Sequence, residues 1–246
     1  RFHRSQYALE LIQSSMSKLP AVATASHCQH CRIFELCKHQ HLSPDRDLAA
    51  RIVMRRRGLR RGETLYRMGE PFRSLVVVCH GSVKTSVVTP EGGWQMTGFY
   101  LPGEIVGASA LGGRVFTEAA ATLEPTTVCE VLFNRLEDLS EHFPAMRSYL
   151  LKLLGAEIRA GQDRLWPLLG RRGAPERLAG FLLALSQRYQ ERGFDAGSFP
   201  LSMKRCDVGN YLGLAKETVT RLFARFEEEG LLSVQARQLR IHDFAR

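Results

Sequence analysis

Residues 204–230 read KRCDVGNYLGLAKETVTRLFARFEEEG, two short helical stretches joined at a sharp corner. The first, CDVGNYLG (206–213), ends at Gly213, where the chain must turn. The second, ETVTRLFARFEEEG (217–230), carries Val219, Leu222 and Phe226 as its buried stripe. That is helix-turn-helix spacing. The second helix then presents Lys216, Glu217, Thr220, Arg221 and Arg225 outward. Arginine grips guanine bidentately and glutamate accepts from a cytosine amine, so this face is equipped to read a major groove. LLSVQARQLRIHD (231–243) follows as two short strands, which completes a winged helix. A three-helix packing unit with a solvated face is the plainer alternative, and the intact turn, the wing and the basic chain favour double-stranded DNA.

Working upstream, RLAGFLLALSQRYQERG (177–193) is amphipathic, and GRRGAPE (170–176) reads as a hinge that starts the next helix near Gly173 or Ala174. Ahead of it, Leu150, Leu154, Ile158, Gly161, Leu165 and Leu168 recur at steps of three or four along one long helix. This has the length and seam of a dimerisation helix. A helix packed on its own β-domain fits the same periodicity. Pro167 is expected to end or kink the helix, because it lacks the N–H that bonds one turn back. From about Arg57 to Val131 the period becomes two. Val76, Val78, Val83, Thr85 and Val87 alternate around Gly81, and further turns fall at RRGE, MGEP, PEGG, LPGE and LGGR. Short strands with glycine and proline punctuation predict a β-barrel or β-roll.

The chain has 246 residues and a net charge of +9, which suits a polyanionic partner. Its length is ample for a hydrophobic core. No run approaches the roughly 20 apolar residues of a membrane span, and RFHRSQYALELIQSSMSKLP is too polar for a signal peptide, although YALELIQ suits a short helix. A cytoplasmic location without membrane contact is expected, with residues missing ahead of Arg1. Six cysteines in such a chain do not suggest a disulfide framework. Three of them cluster in SHCQHCRIFELCKHQH (26–41), where Cys28, Cys31 and Cys37 are spaced C-x₂-C-x₅-C, and that points to metal. From this stretch alone zinc, with His27, His30, His39 and His41 at hand, is as good a reading as an iron–sulfur cluster. The histidines read as solvated loop residues, and Cys79 and Cys206 as small buried or half-buried residues.

These motifs fall in one order. GEIVG (103–107) within the glycine-punctuated strands, the long helix, and DVGNYLGLAKETVTRLFARFEEEGLL (207–232) resemble the CRP/FNR superfamily of bacterial transcription factors over about residues 25–240. GNYLGL followed by Glu217-x-x-x-Arg221 resembles its oxygen-responsive FNR branch in particular. The resemblance implies an α+β chain: an N-terminal segment (1–42), a cyclic-nucleotide-binding-like β-roll (43–140), a dimerisation helix (141–170) and a winged helix-turn-helix (171–246). It implies a homodimer on an inverted repeat of TTGAT-like half-sites, with RNA polymerase touched through TPEGGW (89–94). It further implies that Cys28, Cys31, Cys37 and the distant Cys129 of TTVCEV hold a 4Fe–4S cluster, four thiolates being the usual demand of such a group.

Cyclic AMP is not expected. Glu118-Ala119 stands where cAMP-binding relatives carry an Arg-Ser pair, and Ala108 where their ribose-binding glutamate would be. A cyclic phosphate facing acid and methyl groups is poorly held. Gly103, Glu104 and Gly107 then read as turn residues retained for the fold. Three departures from the branch are Arg32 after the second cysteine, Thr220 in place of serine, and Gly161 on the helix seam. No acid–base pair or substrate motif accompanies the cysteines, so an enzyme is not expected. A zinc-stabilised or thiol-redox regulator of the same architecture is the alternative.

Overall fold

A computed structural model of the chain describes residues 53–134, 144–165 and 173–244. Cys28, Cys31 and Cys37, with the helix expected near YALELIQ, Arg32 and the N-terminal histidines, lie outside the described residues.

Eight strands make the first unit: β1 (Val53–Leu59), β2 (Thr64–Tyr66), β3 (Ser74–His80), β4 (Val83–Val88), β5 (Trp94–Tyr100), β6 (Ile105–Val106), β7 (Ala119–Thr122) and β8 (Thr126–Leu132). They form two antiparallel sheets, ordered β1-β8-β3-β6 and β2-β7-β4-β5. Val76, Val78 and Val128 from one sheet share a core with Tyr66, Val83, Tyr100 and Ala120 from the other. The β3–β4 corner requires glycine. Gly81 has φ 80°, and a Cβ there would lie 2.6 Å from the Pro125 carbonyl oxygen.

The run Leu75–Val78 is apolar without alternation because β3 is covered on both faces. Val76 and Val78 point to the inner core, whereas Leu75 and Val77 join Ile105, Cys129 and Val131 in a second cluster. That outer cluster is capped by Leu153 of helix α1 (Pro144–Leu165), with Leu150 packed at its margin. The helix is described as far as Leu165, and Pro167 and Leu168 lie outside the described residues.

The second unit contains α2 (Ala174–Gln190), β9 (Ser198–Pro200), α3 (Arg205–Leu212), α4 (Lys216–Glu228), β10 (Leu232–Gln235) and β11 (Gln238–Ile241). Gly173 caps α2 and a proline occupies its first turn, where φ near −65° suits a helix start. The two-stranded wing gains β9, giving the order β10-β11-β9. Leu178, Phe181 and Leu185 of α2 pack against Val208, Tyr211, Val219, Leu222 and Phe226 of the two following helices. This core runs on into Phe99, Leu101 and Leu123 of the β-roll, with the Phe99 ring 5.1 Å from Tyr211 and 5.9 Å from Phe181.

Gly213 closes α3 at φ 65°, the corner expected from sequence. A second glycine sets how closely the two helices meet. A Cβ on Gly209 would lie 2.7 Å from the Leu214 carbonyl oxygen, which the turn holds in place. Gly209→Ala is therefore expected to cost about 1–3 kcal/mol through overpacking. The check is thermal unfolding of both proteins by circular dichroism, an unchanged midpoint being contrary to the close contact.

Candidate nucleic-acid interface and its link to the β-roll

Helix α4 buries Val219, Leu222, Phe223 and Phe226 and exposes the opposite face. Lys216, Glu217, Thr220, Arg221 and Arg225 are all exposed on it. The Thr220 hydroxyl donates to the Lys216 carbonyl at 2.9 Å, so its proton is engaged within the helix. Among the described residues Arg221 reaches the Thr218 hydroxyl, at 3.5 Å, and its side chain is exposed. Arg225 differs: its Nε lies 2.7 Å from a Glu229 carboxylate oxygen one turn on. The structure thus places four of the five residues on the first turns of α4, and the fifth in an ion pair at its end. Behind this face, the Arg205 guanidinium of α3 sits 3.3 Å from the Phe223 ring centroid, a cation–π contact that ties the two helices together.

The positioning helix is fastened to the β-roll by groups the sequence did not flag. Asp207, almost fully buried, accepts from the Lys204 backbone N–H at 3.2 Å and from Lys84 Nζ of β4 at 2.7 Å. The Asn210 amide acts as a surrogate strand: it accepts from the Met96 N–H at 2.5 Å and donates to the Trp94 carbonyl at 2.6 Å. Gln95 Nε2 donates to the Asn210 carbonyl at 2.7 Å. The β4–β5 hairpin containing TPEGGW is thereby coupled to the first helix of the DNA unit, while the Trp94 side chain remains exposed.

Glu104 carries the strongest link. It sits in a turn, as the sequence suggested, its N–H donating to the Leu101 carbonyl at 3.1 Å, and it is also a buried carboxylate gripped by Arg188 of α2 and by Arg192 just beyond the helix. Arg188 Nη2 lies 2.5 Å and Arg192 Nη2 2.6 Å from its two oxygens. Arg188 Nε and the Leu101 backbone N–H also donate to it, at 3.0 and 2.7 Å. The guanidiniums also donate to the Phe99 carbonyl at 2.5 Å, the Pro102 carbonyl at 2.8 Å and the Arg188 carbonyl. Burial alone would push the carboxyl up, but the two guanidiniums and these hydrogen bonds outweigh it and hold the pKa at about 2. A signal existed: Arg188 and Arg192 stand four apart at the end of the amphipathic stretch 177–193, beside the buried Leu185 and Tyr189.

Cys129 lies on the outer face of β8, buried in the cluster that joins the β-roll to α1. Its neighbour is Cys79 of β3, with Sγ···Sγ 2.9 Å. Cys206, read from sequence as buried or half-buried, is exposed. Along α1, Leu150 turns toward its own β-roll while Leu154 is partly and Ile158 and Leu151 largely exposed. Gly161 is half-buried, and Leu165 is the last described residue of the helix.

In the β-roll segment where the sequence was compared with cAMP-binding relatives, the side chains pair with one another. Glu118 accepts from the Thr97 hydroxyl at 2.6 Å, and Thr97 pairs with Thr85 at 2.7 Å. Tyr66 stacks on Phe116 with centroids 3.7 Å apart, and a Cβ on Gly107 would meet that Phe116 ring at 2.7 Å. Ala108 packs at the edge of the outer cluster, with no carboxylate to offer a ribose. Burial pushes the Tyr66 phenol up, so it stays protonated, and its hydroxyl has no hydrogen-bond partner among the described residues.

A β-roll followed by a long helix and a winged helix-turn-helix defines a DNA-binding regulator, and comparison with known proteins gives its family. Residues 176–246 match the Crp-like helix-turn-helix domain and residues 56–143 the cyclic nucleotide-binding domain. The chain is 44% identical over 219 residues to the transcriptional activator protein anr of Pseudomonas aeruginosa, covering 89% of each chain. It is 39% identical over 220 residues to the fumarate and nitrate reduction regulatory protein of Escherichia coli K12, covering 89% of this chain and 88% of that one. Among solved structures, FixK2 of Bradyrhizobium japonicum is similar at a TM-score of 0.68 and 31% identity, over 77% of this chain and 92% of that one. The chain belongs to the CRP/FNR family of transcriptional regulators. It is a DNA-binding regulator and not an enzyme.

Removing the Glu104 charge leaves two guanidiniums facing a buried site, so Glu104→Gln is expected to destabilise the chain by about 3–5 kcal/mol. The pH dependence has a definite sign. Glu104 is depressed in the folded state, so its contribution is complete above the ordinary carboxylate value of about 4.3 and is lost as pH falls from there toward about 2. Denaturant midpoints measured between those limits should show the wild-type advantage over Glu104→Gln shrinking with acid. A pH-independent gap contradicts the ionised pair.

Proposed function

We propose that the chain is a cytoplasmic, homodimeric transcription regulator that responds to oxygen through a 4Fe–4S cluster held by Cys28, Cys31, Cys37 and Cys129. The observation that carries this reading is the position of Cys129. Its thiol packs in the same apolar cluster as Leu150 and Leu153 of α1. The adjoining face of that helix exposes Leu151, Leu154 and Ile158, an apolar seam suited to a second copy. The all-thiolate donor set fits such a cluster, which when bound supplies an oxygen-labile tie between the N-terminal segment and the β-roll. No helix of the described residues is long and apolar enough to cross a membrane.

The chain's own residues supply a route from this cysteine to the DNA unit. Val77 of β3 is the register partner of both Cys129 and Ile105. Glu104 precedes Ile105 and receives Arg188 and Arg192. A shift of β8 against α1 would therefore act on the seam directly and on α2 through three adjacent strands. Coupling of this kind needs states of different free energy at both ends, and the dimer supplies them if the seam pairs in only one. In the paired state two α4 helices meet successive major grooves of an inverted repeat with TTGAT-like half-sites, about one helical turn apart. The exposed 89–94 hairpin, held by Asn210, is the surface we assign to RNA polymerase. Glu118 and the Tyr66–Phe116 stack argue against a cyclic nucleotide as effector. A thiol-redox regulator of the same architecture is the second reading, favoured by the Cys79–Cys129 contact; a zinc site at the N-terminal cysteines is the third.

Anaerobically purified protein is expected to contain iron and sulfide near four per chain, with a visible band that bleaches in air. Cys129→Ser should abolish loading as fully as Cys31→Ser. Stoichiometric zinc in a colourless sample, or normal iron in the Cys129 variant, overturns the cluster assignment while leaving DNA binding in place. For DNA, Arg221→Ala should cost about 1–3 kcal/mol on a TTGAT-type site and little on random duplex. Equal losses on both, measured at one salt concentration, would remove Arg221 as a base reader.

A further inference from the structure

We propose that Cys79 and Cys129 form a reversible intramolecular disulfide, so that Cys129 can be masked by a second thiol on the adjacent strand. The two residues are 50 positions apart in sequence, yet the fold brings their sulfurs to 2.9 Å. A disulfide needs ~2.05 Å, so a small approach suffices. The backbone has the freedom for it. Val78 pairs with Val128 and His80 with Thr127, so β3 has one extra residue at this point, and that residue is Cys79. The residue at a bulge is released from the ladder and its side chain is re-aimed. Cys129 has no such freedom, being in regular register with Val77.

Access is divided between the two. Cys129 is buried under the margin of α1, whereas Cys79 is half-buried and reachable from solvent. Cys79 is therefore the entry point for an oxidised low-molecular-weight disulfide such as glutathione disulfide. The Cys79 thiolate attacks one sulfur of that reagent, its S–S bond breaks, and one small thiolate leaves. The Cys129 thiolate then attacks the Cys79 sulfur of the mixed disulfide and expels the second. Two electrons pass from the protein thiols to the reagent, and the two thiol protons end on the released thiols. A dithiol reductant reverses both exchanges.

The disulfide stands on the strand geometry alone. Its consequence, that the oxidised chain cannot offer Cys129 to iron, rests on the cluster reading above. The test uses the full metal-free chain, incubated with glutathione disulfide, alkylated with iodoacetamide, digested and analysed by mass spectrometry. The expected product is a peptide pair joining Cys79 to Cys129, two hydrogens lighter than the separate peptides and restored by dithiothreitol. Recovery of both residues as alkylated thiols or as separate glutathione adducts overturns the proposal. Cys79→Ser should yield no crosslink at Cys129. After the same oxidation and removal of glutathione, a further pair of samples is offered iron and sulfide. The wild type, with the disulfide masking Cys129, should load only after dithiothreitol, and the extent to which Cys79→Ser loads without it measures that masking. If neither loads even when reduced, the cluster reading fails, and the crosslinked peptide still decides the disulfide.

Discussion

A single ionised carboxylate, buried between the β-roll and the DNA unit, is the constraint on which the arrangement of the chain depends. Glu104 stays charged only because Arg188 and Arg192 both reach it, and those arginines are tolerable in a core only because Glu104 and three backbone carbonyls receive their donors. Each partner makes the others affordable to bury. Around this group the aromatic contacts of Phe99 with Phe181 and Tyr211 extend one apolar core through both units. The ion pair supplies direction where the apolar contacts supply area, since guanidinium and carboxylate geometry admit few orientations.

The same economy governs β3. A strand covered on both faces serves two clusters at once, with the inner one holding the β-roll together and the outer one joining it to α1. Cys129 lies on the outer side, against the helix that presents an apolar seam to solvent. In the inner core the thiol would have had no contact with α1. On the outer face it touches the helix and, through Val77 and Ile105, adjoins Glu104.

Within the DNA unit the two helices divide their tasks physically. Helix α3 is fixed by Asp207 and by the Asn210 amide, which exchanges two hydrogen bonds with the β4–β5 backbone. Helix α4 packs on it through Val219 and Phe223 and leaves Lys216, Glu217, Thr220 and Arg221 to solvent. A base-reading side chain must be desolvated by DNA rather than by its own protein, and its helix must still be held at a set angle. Anchoring the neighbouring helix meets both demands.

The sequence by itself determined what depends on local spacing. Period-two valines around Gly81, the turn at Gly213 and the stripe of α4 each express a rule spanning a few residues, and each appears in the structure. The outward face of α4 was legible for the same reason. The third wing strand β9 was not, because SFP has no period of its own and exists only by pairing with β11. Glu104 was legible as a turn residue but not as a buried ion-pair partner, because its arginines lie 84 and 88 residues away. Cys79 likewise looked like an ordinary strand residue until the fold set it beside Cys129. Periodicity tells which side of an element is buried, but not what buries it. Only the tertiary structure decided which carboxylate, amide and thiol would face one another, because those pairings are set by the packing of whole sheets and helices.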